Sequence, residues 1–363
     1  MIKSLNFKKI NLPMTKPFKI SLGSTDFYEG FIVTLETDDG IKGYGEATTT
    51  PFITGDTIGS IESELAIFSE ALKNREESPE ELNLLMKSLC KSAKASRMAV
   101  DEALWDVIGK RGKMNVKKML GNYRNSIATS YTVDLVSPSE ARKQAVELLS
   151  QGVKIFKIKM GRGIAEDLER VKTVREVVGN DLMIYVDFNQ AYTARKAVEI
   201  SKHLSKYNIE FLEQPVNMFD IKGLKFIRDR SDIPVFADET IFSPDDVVNV
   251  LQTESVDGIN IKLMKSGGIT ESIQMVDIAE SFRAPVMIGC MVETRLANTA
   301  GLVVALAKHG VKYADLDGYS NITRDIASQA VTFKSGELTL PDIPGIGVEL
   351  DRDFVKKELG QKN

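Results

Sequence analysis

The chain has 363 residues, 43% hydrophobic and 27% charged, with a net charge of −4, two cysteines and two histidines. Its length allows two domains or one large barrel with additions, and a sizeable core. The acidic balance without a long basic run argues against a nucleic-acid partner, no stretch has the apolar length of a signal peptide or membrane span, and free Cys90 and Cys290, outside any metal-binding spacing, fit the cytoplasm.

The first part reads as strands followed by helices. GFIVTLETDDGIKGYGEA (30–47) alternates in two runs about Asp39-Gly40, the chemistry of a hairpin turn. From about residue 57 to 120 the period becomes helical; Met98, Ala99, Ala103 and Trp105 to Val107 form an apolar stripe. LGNYRN (120–125) breaks the pattern and marks a boundary. From Ser126 onward short apolar strands alternate with helices: IATSYTVDL, KIFKIKM, LMIYVDF, IEFLE, IPVFAD, DGINIKL, APVMIGC and KYADLD. Ser137-Pro138-Ser139-Glu140 combines an N-cap, a proline at the first helical position and a capping box, and Ser243-Pro244 repeats the first two devices. Eight strands, nearly all followed by helices, require parallel pairing and point to a closed barrel. VTFKSGELTLPDIPGIGVELD reads as strand and loop packing back on the N-terminal domain; its GIG lacks a following helix and carries no phosphate-binding meaning.

In such a barrel the C-terminal ends of the strands converge on one pocket. The third, fourth and fifth strands end in Asp187, Glu213 and Asp238, about one strand–helix unit apart. One acid at a strand end is as often a helix cap as a ligand. Three side by side need a counter-charge, and oxygen-only ligands suit a hard divalent cation, Mg²⁺ first. Lys157 and Lys159 alternate with Phe156, Ile158 and Met160, so both face inward on the second strand; Lys262 closes the sixth. Lys159 and Lys262 therefore stand on opposite sides of the acids, where a bound substrate meets an amine on each face. Crowding by one another and by a metal is expected to lower the pKa of Lys157 and Lys159 and make bases of them; the alternative is an ion-pair network that balances the acids. Asp315 and Asp317 share one face of the eighth strand and suit a substrate ammonium, or else form a salt-bridged pair at the rim.

With these residues in place the sequence resembles the enolase superfamily, in its muconate-lactonizing subgroup, and most of all the dipeptide epimerases. The resemblance spans essentially the whole chain through ITGDT (53–57), KIK (157–159), VDFNQ (186–190), EQP (213–215), ADE (237–239), INIKLMKSGGI (259–269) and the DxD of the last barrel strand. It implies a (β/α)7β modified TIM barrel (125–318) and an α+β capping domain (1–124) completed by the C-terminal segment (319–363). It implies one Mg²⁺ per subunit on Asp187, Glu213 and Asp238, chelating a substrate carboxylate. Lys159 and Lys262 become the acid/base pair of a 1,1-proton transfer that inverts the C-terminal residue of a dipeptide, with Lys157 beside the carboxylate. Asn189 and Glu239 support the ligands, Thr132, Cys290, Met291 and Val292 line the substrate, and Asp315 and Asp317 hold its free amino group. A cytoplasmic homo-oligomer acting on a small-molecule dipeptide, with no nucleic acid or membrane partner, is the expectation.

In one place the sequence departs from the Ala-Glu epimerases, whose loop after KPFK carries an arginine for the glutamate side chain. Here Gly23 stands there. A buried glutamate carboxylate without a partner is disfavoured, and Phe18, Ile20 and Phe27 suggest an apolar second residue instead. Asp134, inward beside Thr132, adds negative charge suited to a cationic side chain. N-succinylamino-acid racemase, o-succinylbenzoate synthase and muconate cycloisomerase share the metal and lysines, but their acidic substrates clash with the DxD pair. The remaining alternative is an inactive barrel acting as a binding protein.

Overall fold

Three long strands, β1 (Ile2–Ile20), β2 (Gly23–Thr37) and β3 (Lys42–Thr48), form an antiparallel sheet in that order, with β2 and β3 joined by the Asp39-Gly40 turn. This computed structural model describes residues 1–20 and 22–360, with the backbone alone at 18–20. Helices α1 (Ile58–Ala71), α2 (Pro79–Leu89), α3 (Lys94–Arg111) and α4 (Val116–Met119) follow. The α3 backbone rests directly on β3: a Cβ on Gly45 would lie 1.9 Å from the Ala99 carbonyl oxygen, so only glycine admits this approach. Between Pro13 and Phe18 of β1 the register slips, so that residues 14–17 bulge opposite Asp26.

The stretch read as the first barrel strand divides in two. β4 (Ser126–Ala128) pairs with a later hairpin, and β5 (Ser130–Val133) begins the barrel. β6 (Ile155–Lys159), β7 (Met183–Asp187), β8 (Ile209–Glu213), β9 (Val235–Ala237), β10 (Gly258–Lys262), β11 (Val286–Gly289) and β12 (Val311–Asp315) follow in sequence order, all parallel. Helices follow each of the first seven, making a (β/α)7β barrel. Thr129 closes the ring, bridging Ala314 and accepting from the Leu316 amide at 3.0 Å. The N-caps at Ser137 and Ser243 form as expected, each hydroxyl accepting from the amide three residues on.

Inside the barrel Ile155, Tyr185, Phe211, Phe236 and Met287 form a sealed apolar layer. Phe211 stacks on Phe236 at 4.1 Å and on Tyr185 at 4.4 Å. Gly258 makes room for this stack, since its Cβ would lie 2.3 Å from the Phe236 ring. Alternation then puts Lys157 and Lys159 inward above Ile155, while Phe156 and Ile158 join the outer core.

Carboxylates from the first part of the chain fasten it to the barrel. Glu46 of β3 accepts from the Thr294 amide (2.8 Å) and the Ala297 amide (3.2 Å), capping the helix Arg295–Ala307. Asp101 of α3 accepts from the Thr270 amide (2.9 Å) at the start of the helix Ile269–Ser281. After β12, β13 (Ala327–Gln329), β14 (Thr332–Lys334), β15 (Glu337–Thr339) and β16 (Glu349–Leu350) complete the strands. The β14–β15 hairpin extends β4, and Gly345 and Ile346 then reach α4 and α3 through Val116 and Asp106. The C-terminal segment thus touches both halves. Among the described residues no helix is long and apolar enough to cross a membrane.

Candidate active site

Asp187 and Glu213 end β7 and β8, and Asp238 follows β9, so parallel pairing brings the three carboxylates to one level. One oxygen from each lies within 4.8 Å of the other two, and all three residues are fully buried. Burial and the charge of Asp187 push Glu213 up to about 8. Burial also raises Asp187 and Asp238, but lysine charges outweigh it, holding Asp187 at about 2 and Asp238 well below its usual range. Glu213 Oε2 and Asp238 Oδ2 accept no hydrogen bond of acceptable geometry. Buried oxygens left in this state, converging from three hard ligands, fit a small divalent cation.

The lysines surround this cluster. Lys157, 2% exposed, lies 2.9 Å from Asp187, 3.0 Å from Glu213 and 2.7 Å from Asp315. Lys159 donates to Asp187 Oδ2 at 2.7 Å and to Asn189 Oδ1 at 2.9 Å. Asn189 donates in turn to Glu239 at 3.2 Å, so it links the lysine to a carboxyl pushed up to about 7 by burial and by Asp238. Lys262 lies 2.9 Å from Asp238 Oδ2. β6 and β10 are four strands apart in the eight-stranded ring, so Lys159 and Lys262 face each other across it. The expected fall in pKa is not what the structure shows for Lys157, and Lys262 behaves in the same way. Burial pulls both down, but the surrounding carboxylates outweigh it and hold both above their usual value.

Three residues with central contacts escaped the sequence reading. Lys265, fully buried, donates to Asp238 Oδ1 at 2.5 Å and to the Asp238 carbonyl; its signal was a lysine inside an otherwise apolar turn. Asn260 donates to Glu213 at 2.8 Å. Gln214, with φ of 38°, receives the Asp238 and Thr240 amides at 2.9 and 3.2 Å, so the loop after β8 holds the one after β9.

A cavity of about 670 Å³ opens above these groups. Thr132, Lys157, Lys159, Asn189, Lys262, Cys290, Met291, Val292, Asp315 and Asp317 line its barrel side, while Glu239 lies behind Asn189. Asp315 is engaged by Lys157 and by the Ser130 hydroxyl, each at 2.7 Å. Asp317 accepts from the Thr132 amide at 2.9 Å and is pushed up to about 6 by burial and the charge of Asp315. The other wall comes from the first part of the chain: Thr15, Lys16, Ser24, Thr25 and residues 49–53. Lys16, missed in the sequence, arrives through the β1 bulge. Phe27 is a correction: it is 58% exposed and does not line the cavity, although Thr25 and Glu29 on either side of it do. The side chains of Phe18 and Ile20 lie outside the described residues. Gly23 is covered by Phe52, whose ring would meet a Cβ there at 3.1–3.3 Å.

Residues 6–121 match the model of the mandelate racemase / muconate lactonizing enzyme N-terminal domain, and residues 140–354 that of the enolase C-terminal domain-like family. The chain belongs to the enolase superfamily. It is 36% identical over 349 residues to the L-Ala-D/L-Glu epimerase of Bacillus subtilis, covering 94% of each chain. It is 33% identical to a hydrophobic dipeptide epimerase of Enterococcus faecalis, over 96% of this chain and 99% of that one. The structure of a dipeptide epimerase from Enterococcus faecalis V583, complexed with Mg and L-Leu-L-Tyr, superposes with a TM-score of 0.94 at 33% identity, over 96% and 99% of the two chains. An N-succinyl-L-Arg/Lys racemase of Bacillus cereus is 30% identical over 98% of this chain and 97% of its own. This superfamily member is an isomerase.

Proposed function

We propose that this isomerase is a Mg²⁺-dependent dipeptide epimerase that inverts the α-carbon of the C-terminal residue. The observation that carries the reading is the opposition of Lys159 and Lys262 across the barrel, with three convergent carboxylates between them. Asp187, Glu213 and Asp238 would hold the ion, and a dication there supplies the positive charge against which a substrate carboxylate can develop an enediolate. Lys157 adds a fixed positive charge at the same place. Lys159 Nζ takes the α-proton on one face, and Lys262 Nζ delivers one to the other, so the centre inverts; the reverse reaction exchanges their roles. Asn189, backed by Glu239, orients Lys159 Nζ, a neutral amine when it takes the proton and an ammonium afterwards. Asp317 receives the substrate's free ammonium, with Asp315 behind it oriented by Ser130 and Lys157. Thr132, Cys290, Met291 and Val292 line the rest.

The epimerised residue is apolar in this reading. Phe52 covers Gly23 where a cation would be needed for glutamate, Ile53 and Val292 add apolar wall, and one relative is named for hydrophobic dipeptides. The racemase alternative places a second carboxylate on the substrate near Asp315 and Asp317, where like charges repel.

The test is solvent exchange. With Mg²⁺ in D₂O the protein should convert Ala-Leu to its L,D isomer with one deuterium at the α-carbon, and chelation should stop it. Lys159→Ala and Lys262→Ala should each abolish epimerisation, while each retains exchange of one stereoisomer. Full epimerisation by Lys262→Ala would refute the two-base scheme.

A further inference from the structure

We propose that Asp134 selects a cationic side chain on the substrate residue carrying the free amino group, and that Lys16 holds that position until such a substrate arrives. The inference rests on the dipeptide reading and names the class of dipeptide. Asp134 follows β5 and lines the cavity with its side chain 11% exposed. It accepts from Gln144 Nε2 at 3.0 Å, and its own amide donates to Gln144 Oε1 at 2.9 Å, so the carboxylate is fixed in place. Its counter-ion is Lys16, 2.5 Å away, reaching over from the β1 bulge.

The two partners differ in what they lose on separation. Lys16 is 44% exposed, and its flexible ammonium can turn into water at small cost. Asp134 is buried and cannot be left without a cation except at a large penalty. A substrate ammonium or guanidinium can therefore replace Lys16 like for like. An apolar side chain leaves the pair standing. A carboxylate side chain would have to draw Lys16 away and strand Asp134, so acidic residues should be the poorest. The location indicates which substrate residue is read. Thr132, whose amide holds Asp317, lies two residues before Asp134, a separation of about 7 Å along extended backbone. That spacing suits an α-ammonium at Asp317 and the end of its own Lys or Arg side chain at Asp134.

The experiment compares kcat/KM for Lys-Leu, norleucyl-Leu, Ala-Leu and Glu-Leu with Mg²⁺, in the parent, Asp134→Asn and Lys16→Met. Lys-Leu should exceed norleucyl-Leu, which keeps the four side-chain carbons and lacks the ammonium, by about tenfold in the parent, the scale of one charge-assisted hydrogen bond. Asp134→Asn should bring that ratio to about one, and Lys16→Met should raise it by removing the competitor. Ala-Leu turnover reports that each variant is folded; should Asp134→Asn not fold, the parent ratio and Lys16→Met still decide. A parent ratio of one or less, a ratio unaltered in Asp134→Asn, or a Glu-Leu preference lost in Lys16→Met would overturn the proposal. If none of these dipeptides is epimerised, the functional reading fails; if they are and Lys-Leu gains nothing, only this inference fails.

Discussion

Asp317→Asn tests whether the substrate carries a free ammonium. Asp315 is already committed to Lys157 and Ser130, each at 2.7 Å, whereas Asp317 is held by a backbone amide and faces the cavity. The asparagine is isosteric, so what is lost is one charged partner of the ammonium. A hydrogen bond to a charged group is worth about 1.5–3 kcal/mol, which is roughly ten- to hundredfold in kcat/KM. The loss should fall mainly on KM, because the ammonium does not change charge along the reaction. The pH profile gives an independent check. Burial and Asp315 raise Asp317 to about 6, so in the parent KM for free dipeptides should climb as pH drops through 6. An ordinary aspartate would show this nearer 4. N-acetyl-Ala-Leu should be a poor substrate without that rise in KM, and Asp317→Asn should not weaken its turnover. Equal losses for Ala-Leu and N-acetyl-Ala-Leu would refute the role of Asp317, and an N-acyl preference in the parent would favour the racemase.

Gly23→Arg should improve Ala-Glu only slightly, because the new side chain meets the Phe52 ring at 3.1–3.3 Å; Gly23→Arg with Phe52→Ala should gain about tenfold, read as kcat/KM for Ala-Glu against Ala-Leu. Glu293, pushed up to about 8 by burial and the charge of Glu46, folds protonated where the unfolded chain is ionised. Its contribution to stability is full below about pH 4.5 and is lost as pH rises to about 8, at about 1.4 kcal/mol per unit. Glu293→Gln removes that slope, so its Tm relative to the parent should rise between pH 5 and pH 8; a constant difference would refute the assignment.

The barrel strands were legible because short apolar runs alternate with helical stretches, two of them opened by helix-start chemistry at Ser137 and Ser243, and the acids at the ends of three fall at one repeated spacing. KIFKIKM was legible through alternation alone, and Ile155, Lys157 and Lys159 do face inward while Phe156 and Ile158 face the helices. What escaped depends on long-range geometry. The β1 bulge that carries Lys16 has no local signal beyond the flanking Pro13 and Pro17. Lys265 reaches Asp238 from 27 residues away, a contact no periodicity reveals. The direction of the Lys157 pKa shift was misjudged for the same reason. Burial was foreseeable, but the three carboxylates within 3.0 Å of Lys157 exist only in the folded barrel.

The charges of the site lead to one more measurement. Asp187, Glu213, Asp238, Glu239, Asp315 and Asp317 face Lys157, Lys159, Lys262 and Lys265, so six carboxylates meet four ammoniums and two negative charges remain when all are ionised. Protons answer that excess in the free protein, with Glu213 raised to about 8 and Glu239 to about 7, chiefly by burial. A dication offsets the same two charges, so its binding should expel protons, roughly one per ion at pH 7. A zwitterionic dipeptide then enters without disturbing neutrality, whereas an N-succinyl amino acid brings two further negative charges. Calorimetric titration of Mg²⁺ in buffers of different ionisation enthalpy should give a slope of about one proton released. Glu239→Gln should bind Mg²⁺ with a smaller release. A slope of zero, or proton uptake, would show that these carboxylates are already ionised without metal and would remove the electrostatic case for a neutral dipeptide over an N-succinyl substrate.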